Sequence, residues 1–169
     1  WLSREIFPQA VRIADKFHVL KLGFEAMQAV RVRFRQSALE KAKKTSSYNK
    51  RFSNGDSEKE LLARSRFLLF KRKKEWIETQ EERGNILFKE FPEIKKAYEL
   101  MEEFRDFYNL KTGDFTQKGI AKKFLIKWYK KVKHAEIKEM TTFAYTVKRH
   151  EPPEIIVYFY TNATNVCTK

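Results

Sequence analysis

Residues 116–133 constrain the fold more than any other stretch. Ile120, Ala121, Phe124, Leu125, Trp128 and Val132 recur on one side of a 3.6-residue period, and Lys122, Lys123, Lys127, Lys130 and Lys133 recur on the other. A strand, with its period of two, would scatter both sets over both faces. The segment therefore reads as an amphipathic helix with one face in a core and one in solvent.

The same period governs most of the chain. Phe17, Leu20, Phe24, Met27, Val30 and Phe34 predict a helix from Phe17 to about Lys44, flanked by Arg31 and Arg35, whose stems can lie on apolar surface while the guanidinium reaches out. Ser57-Glu58-Lys59-Glu60 is a helix-start signature ahead of Leu61, Leu62, Phe67, Leu68, Leu69 and Phe70, and the cations Lys71-Arg72-Lys73-Lys74 suit the end of that helix. Thr79 to Phe91 predicts another, punctuated by Pro92, and Ile94, Ala97, Met101, Phe104 and Tyr108 form the face of the next, broken at Thr112-Gly113-Asp114. A helix from about Glu136 to His150 follows, and Pro152-Pro153 can open a last short one over Glu154 to Tyr160. Thr45 to Ser57 has no periodicity and reads as a flexible, basic loop. Val11-Arg12-Ile13-Ala14, after Phe7-Pro8, is a short strand candidate.

With only five Gly and four Pro in 169 residues, there is little turn chemistry for a many-stranded sheet. The expectation is a mainly α fold with one real core.

Charge divides the chain into blocks. Residues 1–50 carry net +7 and residues 116–150 net +8, while residues 51–115 balance to zero and residues 151–169 give −1. Two cationic blocks around a neutral middle suit a surface that faces a polyanion; the plainer alternative is solvated helix faces. The lone Cys167 excludes an internal disulfide and has no neighbour that would mark a nucleophile, which fits a reduced, cytoplasmic setting. No run approaches the ~18 apolar residues of a membrane span. The chain opens on Trp1 rather than Met and stops at Lys169 without a closing element, as a piece of a longer protein would.

An ordered series of motifs then stands out. Phe7-Pro8-Gln9-Ala10 is similar to an F-P-N-A element, and Asp15-Lys16-Phe17-His18-Val19-Leu20-Lys21-Leu22 to D-R-F-H-V-x-K-L. Leu62 to Lys71 follows L-x-R-S-R-Y-L-L-x-K, and Phe91-Pro92 with Ala97-Tyr98-Glu99-Leu100 follows P-x-x-x-x-A-Y-x-L. Tyr158-Phe159, Asn162 and Thr164-Asn165 match the stretch leading to a catalytic glutamate. In this order, over nearly the whole chain, the series resembles the bacterial insertion-sequence transposases of the ISL-three type, acidic-triad enzymes with an RNase H-like core.

The resemblance implies DNA cleavage and strand transfer with two magnesium ions held by two aspartates and a glutamate, hard oxygen ligands for a hard cation. It also implies that both aspartates lie upstream of Trp1, so no metal ligand is assigned within this chain and the piece alone should be inactive. Lys169 falls at the glutamate position, where an ammonium cannot ligate magnesium. Either the element is degenerate, or the match slips and the acid lies farther on, or the last residue has been changed.

On this resemblance residues 1–22 are the edge of the RNase H-like core, with its one short strand. Residues 23–150 are a helical insertion, and residues 151–169 return toward the glutamate helix. Asp15 and His18 form a D-x-x-H signature with a supporting catalytic role, His18 contacting a phosphate or orienting a ligand; Asp15 has an equally good reading as a helix cap. The candidate DNA contacts are Lys16, Lys21, Arg31, Arg33, Arg35, Lys71, Arg72, Lys73, Lys74, Lys122, Lys123, Lys127, Lys130 and Lys133. The partners are double-stranded DNA at the transposon ends and a second transposase subunit, with no membrane. Trp1, Trp76 and Trp128 are candidates for base stacking, although a Trp inside an apolar stripe, as Trp128 is, more often belongs to a core. His134 and His150, each near a helix C-terminus, read as favourable partial charges there. The rival readings are a stand-alone basic helical nucleic-acid-binding module without catalysis and a protein-binding bundle with solvated basic faces.

Overall fold

The computed structural model of the chain describes residues 16–44, 51–107 and 115–150, and they are helical almost throughout. The helices are α1 (Lys16–Lys44), α2 (Glu58–Arg64), α3 (Glu78–Glu90), α4 (Pro92–Phe107), α5 (Phe115–Ala135) and α6 (Lys138–His150). The predicted strand at Val11 to Ala14, Asp15 and the helix predicted over Glu154 to Tyr160 lie outside the described residues. Among the described residues no helix is long and apolar enough to cross a membrane.

The long α1 is the spine, packed on α2, α4 and α6, while α4 also packs on α3 and α5, and α5 on α6. Its unbroken run from Lys16 carries it across position 22. The buried face of α1 is Val19, Met27, Val30 and Ala38, with Leu20, Phe24 and Phe34 only half-buried and Phe17 exposed at 68%. The expected stripe is therefore rotated toward Val19, and the reason lies at Gly23. A Cβ there would stand 2.6 Å from the Met101 sulfur and 2.8 Å from the Phe143 ring, so α4 and α6 close on α1 along the glycine side rather than the Phe17 side.

Trp128 of α5 ties three helices together. Its ring lies 4.8 Å from Phe104 of α4 and 5.7 Å from Phe143 of α6, centroid to centroid, and its Nε1–H donates to the Leu100 carbonyl at 2.8 Å. A second aromatic group seats the middle of the chain: Trp76, Phe88 and Tyr98 pack with centroids 5.2–5.8 Å apart. Trp76 presses so closely on Gly84 that a Cβ there would meet its ring at 2.3 Å. Tyr98 donates to the Lys71 carbonyl at 3.0 Å, and burial pushes its phenol pKa up.

Two expectations are corrected here. The helix from Glu58 does not reach Lys71–Lys74 but stops at Arg64, followed by 3-10 turns at Leu68–Phe70 and Lys73–Glu75. Ser65 is buried and its hydroxyl bonds the Leu61 carbonyl at 2.6 Å, the local competition by which serine disfavours helix interiors. The Leu62, Arg66 and Leu68 carbonyls are then taken by Arg31, Gln28 and Trp76 side chains, which fix the turn so that Leu68 and Leu69 point inward. The second correction concerns residues 51–57, which form a tight reversal rather than a flexible loop. Arg51 and Ser57 make an antiparallel bridge, and Gly55 supplies the positive φ of 81°. The Asn54 side chain accepts from the Asp56 N–H at 3.1 Å.

Asp56, only 1% exposed, accepts from Arg64 and from Arg83 Nε at 3.0 Å, so it joins this turn to α2 and α3. Replacing it with Ala leaves Arg83 without its carboxylate, while the more exposed Arg64 is compensated by water. An Asp56→Ala variant should lose about 2 kcal/mol in urea unfolding, and a loss under about 0.5 kcal/mol would show that the pair is idle. The start of α2 follows the predicted signature: Glu60 accepts from the Ser57 N–H at 2.8 Å and from its hydroxyl at 2.6 Å. Those two bonds draw the Glu60 pKa down to about 2.

α3 gives way to α4 at Pro92, whose fixed φ suits a first helical turn. Between α5 and α6 the chain reverses through Glu136, which holds a left-handed φ of 56°, so α6 begins two residues later than its pattern suggested.

Candidate nucleic-acid interface

α5 carries seven lysines and no acid. Leu125, Trp128 and Val132 are buried, so the opposite surface must face water, and Lys122, Lys123, Lys127, Lys130 and Lys133 are all exposed there. At 100° per residue these five occupy an arc of about 140°, and at 1.5 Å per residue they extend over roughly 16 Å. Lys131 falls just outside the arc and is held by Glu103 of α4 at 2.6 Å. None of the five arc lysines has an ion-pair partner among the described residues. A row of unneutralised ammonium groups on a rigid rod is what a regularly spaced polyanion needs, and lysine serves a phosphate as a point charge without demanding one geometry.

The other candidate contacts sort differently. Arg31 does not reach out: it is 6% exposed, with Nη1 donating to the Leu62 carbonyl at 2.8 Å and Nε to Gln28 at 2.6 Å. Burial, then repulsion from Arg35 and Arg66, lowers its pKa from the ordinary guanidinium value. Arg33 bridges Glu93 of α4 and Glu139 of α6, the latter at 2.8 Å, and so locks three helices together. Those two hydrogen bonds, Glu139 first, raise its pKa. Arg72 pairs with Asp106 at 2.6 Å and Glu102 at 3.7 Å.

Lys21 lies 3.9 Å from Glu25, and Lys71 donates weakly to Gln80 at 3.4 Å. Arg35, Lys73 and Lys74 are exposed. The structure therefore brings five candidates together on α5 and spends Arg31, Arg33 and Arg72 on internal contacts.

His18 is exposed in the first turn of α1, and the Asp15 and Lys16 side chains fall outside the described residues, so the D-x-x-H signature has no described geometry. Trp76 and Trp128 are buried and offer no stacking face, whereas Phe17, Phe67 and Phe70 are exposed. Sequence periodicity had no means of marking those phenylalanines, because they sit in stripes that read as core. Among the described residues no group of three or more His, Cys, Asp or Glu is placed to hold a metal ion. The magnesium implied by the resemblance therefore has no fitting ligand set there, and no described residue is assigned to it.

The family model for transposases of the ISL-three type, described as transposase, matches residues 2–168. No curated protein and no solved structure matches the chain.

Proposed function

The chain belongs to the ISL-three transposase family, and on that premise we propose that its helical body grips transposon-end DNA while the cleavage and strand-transfer chemistry resides with residues of the parent enzyme outside it. The observation that carries this reading is the acid-free lysine face of α5. Its five ammonium groups line up along a helix that Trp128 and the Glu103–Lys131 pair hold rigidly against α4. Such contacts fix where the duplex lies and carry little sequence information themselves.

In the same reading residues 1–22 are the edge of an RNase H-like core, residues 23–150 are the helical insertion, and residues 151–169 lead back toward the catalytic-glutamate helix. His18, at the exposed start of α1, contacts a phosphate or orients a ligand in a supporting role, and Lys73 and Lys74 extend the phosphate contacts. Two copies would hold two transposon ends, in the cytoplasm where bacterial DNA lies.

Counterion release supplies the test. If the five α5 lysines each meet a phosphate, log K for a random-sequence duplex should fall with log salt at a slope on the order of −4 to −5. Fluorescence anisotropy of a labelled duplex across a salt series measures it. A slope shallower than about −2 would mean that α5 makes at most two phosphate contacts, and the reading would fail.

A further inference from the structure

The Phe17 side of α1 forms a groove of roughly 670 Å³ with the turn after α2, its walls including Phe17, Phe24, Val32, Arg66 and Phe70. Phe67, next to Arg66, is 69% exposed, and the Arg66 guanidinium carbon lies 5.4 Å from its ring centre. On α1, Phe17, Phe24, Gln28 and Arg35 fall within about 40° of one another around the helix axis, so the apolar side chains and the Arg35 cation share one line. Arg35 and Arg66 have no carboxylate partner among the described residues, and Glu25, which also lines the groove, is 3.9 Å from Lys21. Arg31, buried beneath, feels Arg35 and Arg66 as a repulsion that lowers its pKa further after burial has done so. The groove thus joins partly exposed aromatic rings, Phe24 and Phe70 packed 5.3 Å apart, to guanidinium charge that no described carboxylate pairs with.

A ligand that satisfies both must be anionic along its length and flat and apolar in its side groups. Unpaired nucleic acid has that chemistry: phosphates for the guanidinium groups, bases for the rings. We propose that this groove holds an unpaired DNA strand, with Phe70 in its wall and Phe67 beside it as stacking surfaces for bases, and Arg66 in its wall and Arg35 farther along α1 as phosphate partners. The proposal deepens the DNA-gripping reading and rests on it only for the choice of DNA as the polyanion, because the groove and the α5 face share no residue. A strand cut free at a transposon end is the kind of substrate it would hold. From Phe17 to Val32 the helix runs about 22 Å, room for roughly six stacked nucleotides at ~3.4 Å each.

The test uses the full 169-residue chain and three labelled probes read by anisotropy: oligo-dT of about twelve nucleotides, an abasic strand of the same length, and a duplex. Wild-type protein should prefer oligo-dT over the abasic strand. Phe67→Ala should weaken oligo-dT binding on the order of tenfold to a hundredfold while leaving the duplex within about twofold. Phe67→Trp should keep the affinity, and its added fluorescence should be quenched by oligo-dT, a readout that holds even if the alanine variant folds poorly.

Equal binding of the abasic strand would overturn the proposal, as would oligo-dT binding that ignores both substitutions. So would tighter binding of an acidic amphipathic peptide, which would assign the groove to a protein partner. Oligo-dT binding that responds to Phe67 alongside a duplex that does not bind would uphold the groove and remove the α5 reading instead.

Discussion

Replacing Lys122, Lys127 and Lys130 together with Glu should reduce duplex affinity on the order of 10²–10³-fold at 0.1 M salt, because each phosphate contact contributes a factor of about eight there through released counterions. The variant should fold as the wild type does, since all three side chains are exposed and lie on the face of α5 away from Leu125, Trp128 and Val132. The salt slope should become shallower by about three.

Net charge alone would also weaken binding, so the comparison is a charge-matched triple elsewhere: Lys59, Lys89 and Lys95, all exposed, each replaced with Glu. Both triples move the chain's formal +14 by the same amount. The scattered triple acts only through the screened long-range field and should cost less than about tenfold. Equal losses from the two triples would show that α5 is not the contact surface.

The α5 face was legible in the sequence because sign and period coincide there: every lysine of the arc falls off the apolar stripe, so burying Leu125, Trp128 and Val132 exposes the charge, although Ile120 of the expected stripe is itself 52% exposed. α1 defeated the same reasoning. Arg31 follows Met27 by four residues and precedes Phe34 by three, which places it on the core side of the helix rather than beside it, and the chain buries it against the Leu62 carbonyl. That spacing was available in the sequence; the carbonyl freed by the early end of α2 was not. Arg33 and Arg72 find their acids at sequence separations of 60 and 106 residues for Arg33 and 34 for Arg72, distances at which no local pattern carries information.

Helix positions were recovered closely for α1 and α5 because each has a sustained stripe, and for α3 because Pro92 punctuates its end. The break after Arg64 depended on one buried hydroxyl, Ser65, whose preference for the Leu61 carbonyl emerges only once its surroundings are dry. Which side of α1 meets α4 and α6 was hidden for a related reason. A stripe says which residues are apolar, and it takes Gly23, admitting Met101 and Phe143 to one side only, to decide which of them are covered.

Removing Trp128 should strongly destabilise the body that holds the lysine face in place. The ring is 1% exposed and wedged among Phe104, Phe143 and Tyr129, so Trp128→Ala deletes the largest fully buried side chain and leaves a cavity that three packed helices cannot readily close. The expected loss is about 3–5 kcal/mol, against the roughly 5–15 kcal/mol that a folded domain has in total. Its circular-dichroism melt should move down or broaden. Trp128→Phe separates packing from hydrogen bonding. It keeps most of the apolar contact and drops the bond to Leu100, whose carbonyl, inside α4, still has the ordinary partner four residues on. That variant should cost only about 1–2 kcal/mol. If the phenylalanine variant is as damaged as the alanine one, the indole's bond to α4 is what registers α5, and the aromatic packing is secondary. The expected order, alanine far worse than phenylalanine, makes the buried aromatic group the anchor from which the cationic face projects.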